Sequence, residues 1–292
     1  MLARSFTEEQ VIFRDAYRKF LTKEIVPSME AWREQGRVGR EAFTAAGKHG
    51  FLMVWPSEKH GGMGDADFRF EQVIIEETAY ARCSDWFNTL HSRLVGPYLT
   101  RFGSIDQQDE FLPKCTSGQY ILAIAMTEPD AGSDLAGMRS RAKKDGDDWV
   151  LNGQKTYISN GINADLVIVA AKTGGDDKPH EMTLFLVEKG AQGFERGRNL
   201  KKMGLKGQDT SELFFNDVRV SPSHVLGEPG KGFYYLMEGL AEERLIGACQ
   251  YLSQAQLSFD LTLQFVKERN IFGKKVADFQ NTQFKLAELR TD

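Results

Sequence analysis

The spacing of apolar residues changes twice along this chain, and these changes limit the folds that it can adopt. From residue 7 to about 120, apolar residues recur at steps of three and four, which is the helical period. From Ile121 onward, short runs rich in Val, Ile, Thr and Phe are bounded by Gly, Asp and Asn, as strands are. After residues 227–232 the helical period returns and continues to about Glu268. This order predicts an α+β multidomain protein: a helical domain, an antiparallel β-domain that forms a sheet or small barrel, and a helical bundle.

The same changes of period predict the domain boundaries. An N-terminal α-helical domain covers 1–120, a middle β-domain covers 121–222, and the start of a C-terminal helical bundle covers 223–292. The first helix begins at a Thr-x-x-Gln capping box with Thr7 as its N-cap, and it is predicted to stop at Pro27. The other predicted helices lie near 40–51, 68–82, 88–102, 106–117 and 233–268 and from Asn281, and the predicted strands lie at 121–126, 149–151, 155–159, 166–171, 182–187 and 212–220.

Composition argues against several classes of function. A formal net charge of −4 is unlike that of a nucleic-acid binder that neutralises phosphates. No apolar run reaches the roughly 18 residues of a transmembrane helix, and residues 1–10 are too polar for a signal peptide. We therefore expect an intracellular protein, cytoplasmic by preference or in the mitochondrial matrix if the source is eukaryotic. Cys83, Cys115 and Cys249 lie far apart and the histidines are scattered, so neither a disulfide framework nor a metal site is predicted.

Two polar segments follow predicted strands in the middle of the chain. In the first, residues 126–133, Thr-Glu-Pro-Asp-Ala-Gly-Ser exposes backbone N–H groups, a hydroxyl and a glycine where the chain could approach a ligand closely. In the second, strand alternation would point Tyr157 and Ser159 to the same side, so that an aromatic plane and a hydroxyl are presented together. Each segment has a plainer interpretation by itself, a Pro-Asp turn for the first and a half-buried strand with a surface tyrosine for the second.

A carboxylate is predicted on the apolar face of the long C-terminal helix. Glu243 lies seven residues after Leu236 and three before Ile246, so the three side chains share one face. A carboxylate there is either held in a dry pocket, where its pKa rises toward that of a useful general base, or paired with Arg244 on the helix surface. Glu242 is the nearest alternative for the same role.

Several stretches of the chain resemble the acyl-CoA dehydrogenase family, and its long-chain branch in particular. They are AIAMTEPDAGSDL, KMGLKGQDTSELFF, GKGFYYLMEGLAEERL and KERNIFGKKVADFQNTQFKLAELRT, and the resemblance spans essentially the whole chain. It implies a helical domain and a β-domain followed by a four-helix bundle. It also implies an FAD-dependent oxidoreductase of fatty acid β-oxidation, a flavoprotein and homotetramer that converts a long-chain or branched fatty acyl-CoA into the trans-2-enoyl-CoA. Electrons would pass to an electron-transfer flavoprotein.

The resemblance also has departures. Members of the family continue beyond the position of Asp292 with further bundle helices and a Gly-Gly loop that touches the flavin, so we expect a truncated chain with an incomplete bundle. At the positions of Tyr157 and Ser159 the family more often has Trp and Thr. A non-catalytic scaffold or assembly protein, or an inactive fragment of the same fold, is therefore kept as the alternative function, and the colour of bound flavin would separate the two.

The family's site residues can be carried over position by position. Glu243 matches the base of the long-chain and isovaleryl branches, and Arg269 and Gln280 match residues that reach the flavin dinucleotide of a neighbouring subunit. The resemblance implies the following cofactor-binding residues: Ile124, Met126, Thr127, Gly132, Ser133, Tyr157, Ile158, Ser159, Arg269, Phe272 and Gln280. It implies the following substrate-binding residues: Ser133, His180, Tyr234, Ala241, Glu242 and Arg244, although a solvent-exposed loop histidine is the favoured interpretation of His180.

Overall fold

The computed structural model describes residues 6–65, 67–175, 178 and 180–292. Its N-terminal part is helical, as predicted. The helices are α1 (Glu8–Phe20), α2 (Met29–Gln35), α3 (Arg40–Lys48), α4 (Phe68–Tyr80), α5 (Gly96–Phe102) and α6 (Ile105–Thr116), and a π-helical turn, Leu90–Val95, leads directly into α5.

The first helix begins as predicted but does not end as predicted. Thr7 accepts a hydrogen bond from the Gln10 backbone N–H while the Gln10 side chain binds the Thr7 N–H, so the capping box is confirmed. The chain then stays helical through a π turn and a short 3₁₀ turn, Val26–Ser28, into α2, so the predicted stop at Pro27 is wrong. A proline is tolerated there because the first residues of a helical turn have no intrahelical partner for their N–H groups.

Replacing Thr7 by Ala is expected to lower the free energy of unfolding by about 1 kcal/mol, because α1 loses its side-chain N-cap. Denaturant unfolding followed by circular dichroism would measure it. Thr22→Ala is the matched control, since the Thr22 hydroxyl donates to the Arg18 carbonyl on an exposed helical surface and caps no helix end. Equal losses for both variants would mean that capping does not stabilise this helix.

The middle of the chain forms one mixed sheet. The strands are β1 (Leu122–Ala125), β2 (Arg141–Asp145), β3 (Asp148–Ser159), β4 (Leu166–Lys172), β5 (Met182–Glu188), β6 (Phe194–Asn199), β7 (Thr210–Val220) and β8 (Val225–Leu226). Among the described residues their order is β6-β7-β3-β2-β4-β5-β8, with β1 also paired to β4.

Two features of the predicted β-domain are corrected. Over the described residues the hydrogen-bonded order runs from β6 to β8 without closing on itself, so the sheet is open and the predicted small barrel is wrong. Nor is the sheet wholly antiparallel, because β1 and β2 lie at different heights along one edge of β4 and both pair with it in parallel. Alternation of apolar residues identifies a strand but not its neighbours, which is why the closure was not predictable.

Helices and sheet share a continuous core. Leu99 of α5 and Phe111 of α6 belong to one buried cluster with Ile168 of β4 and Leu236 of the long C-terminal helix. A separate cluster, around Trp149 and Phe215, is formed by side chains of the strands themselves, and in it Trp149 of β3 packs against Phe185 of β5. β4 and β5 are therefore buried on both faces, by the helical part on one side and by the other strands on the other.

The C-terminal part consists of α7 (Gly232–Glu268), a small hairpin of β9 (Asn270–Ile271) and β10 (Lys274–Lys275), and α8 (Gln280–Thr291). With 37 residues, α7 is about 55 Å long. It packs mainly along α4, where the Tyr80 hydroxyl donates to Asp260 at 2.8 Å. Within the described ranges, no helix has both the length and the hydropathy needed to cross a bilayer.

Candidate active site

The two polar segments that the sequence singled out lie against each other. The Thr156 N–H donates to the Thr127 carbonyl at 2.9 Å, and Lys155 Nζ donates to the Met126 carbonyl at 3.1 Å. The end of β1 and the last third of β3 are thereby joined directly. The hydroxyl- and glycine-bearing loop and the strand that carries Tyr157 form one surface.

Tyr157 stands out from this surface because of a β-bulge. The register between β3 and β7 shifts between Lys155 and Ile158, and Tyr157 has a φ of 57°, a left-handed conformation that is uncommon for an aromatic residue. Tyr157 is 69% exposed, whereas Ile158 is buried in the core. Exposure thus alternates over Tyr157, Ile158 and Ser159 as predicted, but Lys155 and Thr156 before them are both buried, because the bulge interrupts the alternation there.

The loop at 126–133 and the end of β3 carry side-chain hydroxyls that have no partner within the described part of the chain. Among the described residues, the hydroxyls of Thr127, Ser133 and Ser159 have no hydrogen-bond partner. Gly132 is exposed, and a Cβ added to it would meet no atom within 4 Å. An aromatic plane beside free hydroxyls and open space suits a flat ring with nitrogen and oxygen atoms on its edge, so the donor set fits an isoalloxazine ring.

Ile124 and Met126, also predicted to bind the cofactor, have side chains that pack against the core. Ile124 is buried in the core cluster of β4 and β5, and Met126 is half-buried against the same cluster. Any contact that Ile124 makes with a ligand must therefore come mainly from its backbone.

Glu243 lies where α7 meets α5. The Tyr98 hydroxyl donates to Glu243 Oε1 at 3.4 Å, and Tyr98 itself is buried. Gly239, one turn earlier on α7, makes this approach possible, because a Cβ there would lie 2.5 Å from the Tyr98 hydroxyl. Burial raises the pKa of the Glu243 carboxyl, and the Tyr98 hydrogen bond and the charge of Arg244 reduce that rise.

Glu242, the alternative base, has a different environment. Arg93 Nε contacts its Oε1 at 2.5 Å and Arg101 contacts its Oε2 at 2.5 Å, so two guanidinium groups of the N-terminal helices hold this carboxylate. Glu243 has no ion-pair partner within 4 Å in the part of the chain that the structure describes. The two neighbouring glutamates therefore differ. The ion pairs of Glu242 link α7 to the N-terminal helices, whereas the carboxylate of Glu243 is not neutralised by a cation among the described residues.

The sequence did not predict the residues that surround Glu242 and Glu243. Glu71 of α4 is buried, accepts a hydrogen bond from the Thr89 hydroxyl at 2.5 Å, and has its pKa raised to about 7 by burial. The charge of Arg93 lowers that pKa and the charge of Glu242 raises it. Tyr98, Arg93 and Arg101 also had no signal in the sequence, because their role depends on how α7 packs against helices far away along the chain.

Two further groups of predicted residues lie elsewhere. The exposed His180 ring packs on Phe233 with 4.4 Å between centroids, and Tyr234 follows at the start of α7, so these residues form one cluster. Ala241 and Arg244 are exposed on α7.

Arg269, Phe272 and Gln280 are also exposed, Phe272 by 94%, and lie at the far end of α7. About 39 Å of helix axis separates Arg269 from Glu243, so the two cannot contact the same small group within one chain. In the described part, no cluster of His, Cys, Asp and Glu side chains is arranged to hold a metal ion.

Comparisons with known proteins agree along the whole chain. The N-terminal, middle and C-terminal domain models of acyl-CoA dehydrogenase match residues 7–119, 123–218 and 230–292. The mitochondrial long-chain specific acyl-CoA dehydrogenase of Sus scrofa is 48% identical over 99% of this chain and 68% of its own length. The crystal structure of an acyl-CoA dehydrogenase from Geobacillus kaustophilus has a TM-score of 0.96 and 48% identity, over 99% of this chain and 76% of that one.

A structure with a bound cofactor is also similar. It is a glutaryl-CoA dehydrogenase from Mycobacterium smegmatis in complex with FADH2, with a TM-score of 0.87 and 30% identity over 97% of this chain and 72% of that one.

Proposed function

The chain belongs to the acyl-CoA dehydrogenase family, and we propose that it dehydrogenates a long-chain or branched fatty acyl-CoA to the trans-2-enoyl-CoA. The observation that supports this most directly is the half-buried Glu243, a carboxylate without an ion-pair partner in the described part of the chain, beside the doubly paired Glu242. The test is anaerobic mixing of the flavin-loaded protein with a long-chain acyl-CoA. Bleaching of the flavin absorbance is expected, and no bleaching with any acyl-CoA would contradict the proposal.

FAD is the cofactor, and when bound it supplies the acceptor for the hydride that leaves the substrate's β-carbon. The chain's own contribution begins with binding. The hydroxyls of Thr127 and Ser159 and the plane of Tyr157 would hold the isoalloxazine ring, and Ser133 would bind both the cofactor and the acyl-CoA. Gly132 leaves the room that a bound ring needs.

Glu243 performs the proton chemistry. Its ionised carboxylate takes the α-proton, a new C–O–H bond forms on the glutamic acid, and the electron pair of the broken C–H bond becomes the double bond as the hydride leaves the β-carbon. A thioester α-proton is weakly acidic, so a base with a raised pKa transfers it more readily than an ordinary surface glutamate does. Burial supplies that raised pKa, and the Tyr98 hydrogen bond limits the rise.

A homo-oligomer follows from the C-terminal residues as part of the same proposal. Arg269, Phe272 and Gln280 are exposed at the far end of α7, where they could serve the flavin of a neighbouring subunit, Arg269 by binding its pyrophosphate. We expect a tetramer, with an electron-transfer flavoprotein as the oxidant of the reduced enzyme and the cytoplasm as the location. Light scattering with and without FAD would test the assembly.

Replacing Tyr98 by Phe is expected to move the acid limb of the pH–rate profile for flavin reduction to higher pH. The Tyr98 hydrogen bond stabilises the ionised form of Glu243 and so lowers its pKa; without it the pKa rises, and a higher pH is needed to ionise the base. At alkaline pH the two rates should converge. Rapid-mixing reduction measured across pH would show this.

Tyr80→Phe is the matched control, because Tyr80 also donates to a carboxylate of α7, that of Asp260, away from the base. Its profile should coincide with that of the wild type. An unchanged or acid-shifted profile for the Tyr98 variant would mean that the hydroxyl does not act on the base.

A further inference from the structure

A buried ion pair joins the two polar segments of the candidate active site. Lys155 Nζ lies 2.8 Å from Glu128 Oε1, and their side chains are 0% and 3% exposed. Burial lowers the pKa of Lys155; burial also opposes ionisation of Glu128, but Lys155 and neighbouring N–H donors outweigh it, so the pKa of Glu128 is lowered. Moving two charges out of water is costly, and a buried pair is rarely more stable than two well-packed apolar residues. The contribution of this pair to the fold is instead a set of hydrogen bonds with fixed directions.

Those bonds reach both ends of the loop at 126–140. Glu128 accepts from the backbone N–H groups of Arg139 at 2.5 Å and Ser140 at 3.0 Å, while Lys155 donates to the Met126 carbonyl at 3.1 Å. The start of the loop, its end and strand β3 are thus connected through two side chains. An apolar pair of the same volume could fill this space but could not define the three backbone positions.

The packing around the pair leaves little freedom. A Cβ added to Gly153 would lie 2.1 Å from the Ser140 hydroxyl and 2.7 Å from its Cα, so β3 and the loop end are already as close as backbones can come. On the other side, the Thr156 N–H holds the Thr127 carbonyl. Thr127 is next to Glu128 and Tyr157 is two residues after Lys155, so the pair controls the distance between the two groups assigned to the flavin.

We propose that Glu128 and Lys155 are positioning residues for the flavin, whose buried ion pair holds the 126–140 loop and β3 so that Thr127 and Tyr157 face the isoalloxazine ring together. Neither side chain is exposed, so both act through the loop rather than by contact. The inference rests on the proposed FAD site, and it adds the two residues that shape that site from inside.

The test uses the full chain with both members replaced by apolar residues, Glu128→Leu with Lys155→Met. We expect this variant to fold, with its dissociation constant for FAD raised at least tenfold. In the FAD-free protein, backbone amides of the 126–140 loop should exchange hydrogen at least tenfold faster than in the wild type, while amides of α4 stay unchanged. Wild-type FAD affinity together with wild-type loop exchange would overturn the proposal. If the double variant does not fold, FAD affinity and loop exchange are measured on Glu128→Gln instead. A wild-type result in both would again overturn the proposal.

Arg14→Met is the matched control, because Arg14 forms a half-buried ion pair with Glu77 between α1 and α4, away from the loop. It should lower stability without changing FAD affinity. An equal loss of FAD affinity in this control would show a general effect of weakened folding and overturn the positioning role. Failure of the wild type to bind FAD would instead contradict the proposed function, and the loop exchange of the FAD-free protein would still decide whether the pair holds the loop.

Discussion

Replacing Glu243 by Gln is expected to slow flavin reduction by an acyl-CoA about 10³-fold while FAD binding stays unchanged. The amide keeps the shape of the side chain and can still accept the Tyr98 hydrogen bond, but it cannot take a proton from carbon at a useful rate. A positioned general base contributes about 10²–10⁴-fold, and a base with a raised pKa on a weakly acidic substrate belongs in the upper half of that range. Anaerobic rapid mixing with a long-chain acyl-CoA gives the reduction rate, and the flavin spectrum gives the occupancy.

Glu242→Gln is the control that the chain itself offers. This substitution neutralises the neighbouring carboxylate, which Arg93 and Arg101 hold, so it should weaken the attachment of α7 and reduce thermal stability. Its reduction rate should stay within about tenfold of the wild type. If the Glu243 variant reduces its flavin at the wild-type rate, Glu243 is not the base. If the large defect appears in the Glu242 variant instead, Glu242 is the base.

Long regular elements were the most predictable part of the fold. The helix predicted near 233–268 is α7, Gly232–Glu268, because many turns of apolar period are unambiguous over such a length. Strand β6, with the sequence FERGRN, was not predicted, since it pairs through its backbone while its side chains are mostly polar and only partly buried. The order of the strands and the parallel pairing of β1 with β4 were missed for a related reason, because both depend on loops and packing that no single strand encodes.

The candidate site also contains residues that the sequence could predict and residues that it could not. Motif residues such as Thr127 and Tyr157 could be found because they are close in sequence to others of the same motif. Tyr98 could not, because it meets Glu243 across 145 positions of sequence and only the packing of α5 on α7 brings the two together. Lys155 was overlooked for a different reason: a charged residue inside a strand predicts a solvent-facing position, and here an ion pair with Glu128 allows it to be buried.

Replacing Tyr157 by Gly is expected to weaken FAD binding about thirtyfold without destabilising the protein. In the FAD-free protein the ring is mostly exposed, so its removal costs little packing. The backbone conformation, with φ at 57°, is strained for tyrosine and natural for glycine, so the free energy of unfolding should stay the same or rise by up to about 1 kcal/mol. The flavin would lose one aromatic face, whose burial and stacking contribute about 2 kcal/mol, and that energy corresponds to the expected change in affinity.

Leu205→Gly is the matched control for the backbone, because Leu205 also has a left-handed φ, 46°, and is not among the residues assigned to the flavin. It should show the same relief of strain and keep wild-type affinity for FAD. Equilibrium titration of FAD-free protein gives the affinities, and denaturant unfolding gives the stabilities. A Tyr157 variant that binds FAD as tightly as the wild type would mean that the bulge does not direct this ring at the flavin. A Tyr157 variant that loses stability would mean that the exposed tyrosine supports the fold, because a ring that serves only the ligand can be removed from the FAD-free protein at little cost.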